Sequence, residues 1–258
     1  MKHLLASLLA LVLLGSPAMA QNSDDPGLLE RPTALRTAWF GGIGAGLVAH
    51  DNGSFSDRLQ SWSPLGENGQ EQVYRTGRFS GTGFTLNAGG SLLFSRKYVV
   101  GASGEWLTFP TVESITTNDI RSEYDLSGGG GQLELGYAAV NNKGTLVWPY
   151  LSLGYYGYSL DFHNNQSDSI PFFEGEPVAP GTTATYTGAS FRPGLGVGLT
   201  RFMSTAGLVL TARLGWGMFL SHPEWENAAG NIVNNGGKTP CYSGVGLSVT
   251  IGGGSGSF

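Results

Sequence analysis

The chain predicts an all-β fold: an antiparallel up-and-down transmembrane β-barrel of about eight strands. Three observations predict it. Segment after segment alternates a bulky apolar residue with a small or polar one. An apolar leader stands at the N-terminus. The polar connections between the alternating segments are short and long by turns.

The alternation is clearest near the C-terminus. Leu208, Leu210, Ala212, Leu214 and Trp216 interleave with Val209, Thr211, Arg213, Gly215 and Gly217. Successive side chains of a strand point to opposite faces, so this is a sheet with one apolar face and one small, polar face. In a soluble sandwich the second face would be solvated, and here it is too poor in Lys, Asp and Glu for that. Charged residues make up only 13% of the chain, about half the usual quarter, while Gly reaches 42 of 258 residues. That balance suits a sheet that faces lipid and packs tightly inside.

Lys2, the apolar run from Leu4 to Leu14 and the small-residue site Ala18-Met19-Ala20 read as a secretory signal peptide over 1–20. Residues 21–36 are polar, hold Pro26 and Pro32, and read as a periplasmic tail. The barrel is expected over 37–258. Its strands are expected near 38–50, 82–94, 98–109, 124–140, 146–160, 186–200, 208–220 and 242–251. Trp39, Leu47, Phe84, Leu92, Tyr98, Trp106, Leu133, Tyr155 and Val249 fall on the outward face. Ser95-Arg96-Lys97 reads as a short turn, and Asn141-Asn142-Lys143-Gly144 has hairpin chemistry. Short connections near 95–97, 141–144 and 201–207 alternate with long ones near 51–81, 110–123, 161–185 and 221–240. Short periplasmic turns and long extracellular loops follow from that asymmetry. Aromatics gather near strand ends, as an interfacial belt requires.

Four ionisable residues fall on the small-residue face: Glu105, Glu134, Arg192 and Arg213. In a closed barrel all four point inward, two acids against two bases. Charges removed from water must pair or stay hydrated. A balanced salt-bridge cluster filling a narrow lumen is expected, alongside inward Leu93, Leu107, Tyr156 and Phe219.

Other chemistry is sparse. The net charge of −5 argues against a nucleic-acid partner. Cys241 stands alone, so no internal disulfide is expected. His50, Asp51, Asp57, Asp161 and His163 show no metal-ligand spacing, and no metal or cofactor is expected. The Gly runs 128–131 and 252–254 match neither a P-loop nor a dinucleotide fingerprint. The long loops carry Trp62, Phe172 and Phe173. These either meet an extracellular ligand or surface partner, or pack onto the top of the barrel.

The signal peptide, segments such as Pro149-Tyr150-Leu151-Ser152-Leu153-Gly154-Tyr155, the inward charges and the terminal Phe258 give the chain its resemblance. It resembles the small outer-membrane β-barrel families: the transmembrane domain of outer membrane protein A, OmpX, OmpW and the opacity-type surface proteins. The resemblance covers roughly 36–258 and concerns the fold. It implies a place in the outer membrane of a Gram-negative bacterium, with that membrane's lipids as surroundings. In these families an aromatic last residue is the signal read by the barrel-assembly machinery, and Phe258 stands there. Upstream, 252–257 lacks apolar alternation and Phe258 is out of phase with Val249 and Ile251, so a bulge there or a weaker assembly signal is expected. Some such barrels are lipid A hydrolases that use a His-x-Ser pair. No His of this chain precedes a Ser by two positions, so an enzyme is not expected. The expected role is structural or a surface interaction through the loops. The alternatives are a small channel or carrier for small or apolar solutes, and a lipid A-modifying enzyme.

Overall fold

The computed structural model describes residues 34–50, 75–76, 82–115, 121–165, 169–171, 177–203, 207–218, 220, 225–233 and 244–257. Eight long strands form the barrel: β1 (Thr37–His50), β2 (Thr82–Phe94), β3 (Tyr98–Thr108), β4 (Arg121–Tyr137), β5 (Thr145–His163), β6 (Thr183–Met203), β7 (Leu208–Gly217) and β8 (Gly244–Ser257). Each pairs antiparallel with the next. β8 returns to β1 from Thr37↔Ser257 to His50↔Gly244, which closes the sheet. Closure leaves the barrel wall without an open edge.

The strand phase follows the sequence pattern. Trp39, Ile43, Leu47, Phe84, Leu92, Trp106, Leu133, Leu151 and Tyr155 are exposed on the outside, while Phe40, Val48, Thr85, Leu93, Val99 and Leu107 are buried inside. Lys143 and Gly144 both have positive φ, 48° and 74°. They form the two-residue link between Val140–Asn142 and the start of β5. Positive φ at both central residues matches the twist of the flanking strands.

Of the two expectations for 252–257, the bulge is absent. β8 runs through Gly252, Gly253 and Gly254 in unbroken register with Gly42, Gly41 and Phe40. The ladder is made by the backbone, so glycine costs it no hydrogen bond. A Cβ at Gly252 would collide with the Gly41 carbonyl and the Gly42 backbone, so this stretch of the seam closes only with glycine there.

A bulge lies elsewhere. β4 ends at Tyr137 rather than Val140. Its pairing with β5 stops at Gly136↔Tyr150 and resumes at Val140↔Val147. Tyr137, Ala138 and Ala139 thus oppose only Trp148 and Pro149. Pro149 has no N–H to give the ladder, and the extra residue sits beside it. Ala138 N–H donates instead to Lys97 O at 2.6 Å, and Ala139 N–H to Val147 O at 2.8 Å.

β5 and β6 are longer than their apolar-outward pattern suggests, pairing out to His163↔Thr183. There the sheet continues past the barrel wall. Its order is Ile232–Val233, Trp225–Asn227, β6, β5, β4, Val112–Ile115 and Arg75–Thr76. Segments from all four long connections join this one protruding sheet.

Candidate functional site

Inward side chains stack in three layers. The lowest, at the end that carries turns 95–97 and 143–144, is apolar: Leu35, Phe40, Leu93, Val99, Leu146, Trp148 and Val209. Trp148 is fully buried, edge-on to Phe40 at 6.2 Å, and Phe40 meets Phe202 at 5.7 Å. Trp148 Nε1 donates to Thr200 Oγ1 at 3.2 Å, and that hydroxyl lies 3.2 Å from Thr211 Oγ1. An indole buried this deeply needs such a partner.

The middle layer holds the four ionisable residues. Each strand contributes one phase of small side chains, so the long ones can cross the lumen. Arg213 on β7 reaches Glu134 on β4, with Nη2 at 3.5 Å from Oε2. Arg192 on β6 reaches Glu105 on β3, with Nη1 at 3.9 Å from Oε2. Glu134 Oε1 accepts from Gln132 Nε2 at 3.0 Å and Ser103 Oγ at 3.2 Å. The Tyr156 hydroxyl is shared between Glu105 Oε2 at 3.2 Å and Gln132 Oε1 at 3.3 Å. Both guanidinium groups lie over rings: Arg213 over Trp148 at 5.6 Å and Arg192 over Tyr156 at 5.3 Å. Each cation is therefore neutralised by a carboxylate and stacked on an aromatic that closes the layer above or below it. Asn87 Nδ2, Arg192 Nε, Arg213 Nε and Glu134 Oε2 are buried without a protein hydrogen-bond partner. Asn87, Arg192 and Arg213 line a cavity of about 70 Å³ together with Glu105 and Gln132, room for a few water molecules.

The top layer is apolar again. Val48, Leu107, Leu126, Tyr156, Tyr158, Leu160, Phe162, Tyr124, Tyr186 and Trp225 are buried together. Gly128 and Gly130 face inward beneath these rings. A Cβ on Gly128 would lie 2.6 Å from the Tyr158 ring, and one on Gly130 2.8 Å from the Tyr156 ring. The glycine run that matched no nucleotide fingerprint thus makes room for the tyrosines that fill the lumen.

Outside, the apolar surface forms a band. Phe84 to Phe94 are ten residue steps apart on β2. At about 3.3 Å per step and a tilt of about 40° they span about 25 Å. Trp39, Phe94, Tyr98 and Tyr137 mark one margin, and Trp106, Tyr155, Phe191 and Trp216 the other. Phe94 stacks on Tyr98 at 5.5 Å, and Tyr155 meets Phe191 at 5.0 Å.

The structure brings Glu105, Glu134, Arg192 and Arg213 into one layer. Leu93, Leu107 and Tyr156 face inward and are buried. Trp62, Phe172, Phe173, Phe219 and Phe258 lie outside the described residues. Sequence reasoning missed Gln132 and the extended sheet, and it grouped Trp148 with the interfacial aromatics, whereas Trp148 is buried inside. Gln132 alternates with Glu134 on the inward phase, which was the available signal. No protein-family profile matches the chain, and no curated protein matches it.

Proposed function

We propose that the chain is a bacterial outer-membrane barrel with a closed lumen, acting as a structural or surface-interaction protein through the segments at its protruding end. One observation carries this reading: a polar, ion-paired interior inside a belt of exposed large apolar side chains about 25 Å tall, the height of a lipid-facing band. Water would not tolerate Ile43, Leu133 and Leu151 exposed side by side around a whole barrel. The apolar layers above and below the ion pairs support a lumen that does not conduct. The leader sequence supports export.

The test refolds the mature chain into lipid bilayers and records conductance. A folded barrel that shifts on gels only after heating, with no discrete current steps, is the expected outcome. Discrete steps would overturn the closed lumen. A chain that stays in the aqueous phase, folded but not inserted, would overturn the membrane reading.

A further inference from the structure

Charge is divided between the two ends of the barrel. At the end carrying the short turns, Arg36, Arg96, Lys97, Lys143 and Arg201 are all exposed. No Asp or Glu occurs among the described residues of that end, and 204–206 in the third turn are uncharged. Among the described side chains, the protruding end instead holds Glu113, Glu123, Asp125, Asp161 and Glu226.

The five cations are spread around the rim. Arg36 precedes β1, Arg96 and Lys97 join β2 to β3, Lys143 joins β4 to β5, and Arg201 lies near the end of β6. They sit level with the margin of the apolar band. Arg96 and Lys97 are flanked by outward Phe94 and Tyr98, and Arg36 is three residues from outward Trp39.

The rim is also held in shape. Asn141 Oδ1 accepts from Leu35 N–H at 2.9 Å, and its Nδ2 donates to Leu35 O at 2.7 Å and Arg96 O at 3.0 Å. Arg96 N–H donates to Arg36 O at 2.9 Å, and Arg201 Nη1 donates to Lys143 O at 3.2 Å. One carboxamide thus ties the start of β1 to two turns, and the cations ride on a fixed ring.

We propose that this basic rim binds the phosphates of anionic phospholipid headgroups in the leaflet at the short-turn end. The inference rests on the membrane reading above. Headgroup phosphates lie at the edge of the hydrocarbon layer, where these cations lie relative to the aromatic margin. Cations near an anionic lipid surface gain affinity with each charge. A soluble acidic partner would not require them to follow that margin around the barrel.

The mature chain is refolded in phosphatidylcholine vesicles, and spin-labelled phosphatidylglycerol is compared with spin-labelled phosphatidylcholine for association at the protein surface. The expected preference for phosphatidylglycerol is about fivefold for headgroups in contact. It should fall close to parity in R96N/K97Q/K143N, and also in about 0.5 M NaCl. Asn is chosen at 96 and 143 because both residues have positive φ, 65° and 48°, which Asn tolerates. E123Q/E226Q at the opposite end should leave the preference unchanged.

Equal association of the two lipids, or a preference that the triple variant retains, would overturn the proposal. A preference seen only in D24N/D25N/E30Q would assign the rim to the chain's own preceding acids, and would overturn it too. Insertion without preference defeats this inference alone. Failure to insert defeats the membrane reading with it.

Discussion

Between Leu133 and Ser159 the wall of the barrel turns inside out. Around Leu133 the exterior is Leu, Ala and Tyr, and the interior holds Glu134, Gln132 and Arg213. Higher on the same strands the exterior is Asp125, Ser127, Ser159, Asp161, Thr185 and Thr187, and the interior is Tyr124, Leu126, Leu160, Phe162 and Tyr186. One backbone ladder runs through both regions without a break. What changes is which face of the sheet carries the apolar side chains. The crossover lies just beyond Tyr155 and Phe191, so the aromatic margin and the polarity change coincide.

The largest expected effect strikes the interior of the lower region. Arg213→Ala leaves Glu134 buried without its cation and should cost about 4 kcal/mol in unfolding free energy, measured by denaturant titration in vesicles. Arg213→Glu combined with Glu134→Arg should recover part of that loss. Purely additive costs in the cycle would show that the pair is not coupled. In the upper region the interior is apolar, so the vulnerable residue has the opposite character. Phe162→Ala should cost about 3 kcal/mol locally. Limited proteolysis should then cut the protruding hairpin while the heat-dependent gel shift of the barrel stays. Loss of that shift would mean the two regions unfold together.

The exterior separates the regions further. Leu133→Arg places a cation on the middle of the apolar band and should cost about 2–3 kcal/mol in a bilayer. Ser159→Arg, on the same face of the wall but above the crossover, should stay within about 0.5 kcal/mol. Similar costs at both sites would erase that boundary.

This contrast also explains what was legible in the sequence. The lower region announces itself because Leu133, Leu135 and Tyr137 alternate with glycine and polar residues in one phase. In a chain so poor in charge, Glu105, Glu134, Arg192 and Arg213 stand out on the small-residue face. Their partners did not. Glu134 meets Arg213 and Glu105 meets Arg192 because of the stagger around a closed wall, a property of the register and not of any segment. The upper extension was missed for a related reason. In 158–163, the apolar residues Tyr158, Leu160 and Phe162 occupy the inward phase, so the alternation persists with its sign reversed. A search for greasy outward residues ends where the sign flips. The C-terminal glycines misled in another way, since a ladder needs no side chains to alternate.

The seam between the first and last strands has a consequence for how the molecule forms. The hydroxyls of Thr37 and Ser257, 220 residues apart, lie 2.7 Å from each other. Joining the ends of so long a chain costs on the order of 5 kcal/mol in lost freedom before any contact repays it. The other neighbouring strands meet across much shorter loops, so the seam is the last wall to zip. Its narrowest stretch, Gly41 and Gly42 against Gly252 and Gly253, contributes almost no side-chain packing. Cohesion there comes from backbone hydrogen bonds alone, and those gain most once water has left. A half-built barrel therefore waits with two bare edges, and on the membrane reading proposed above a nonaqueous medium drives them together.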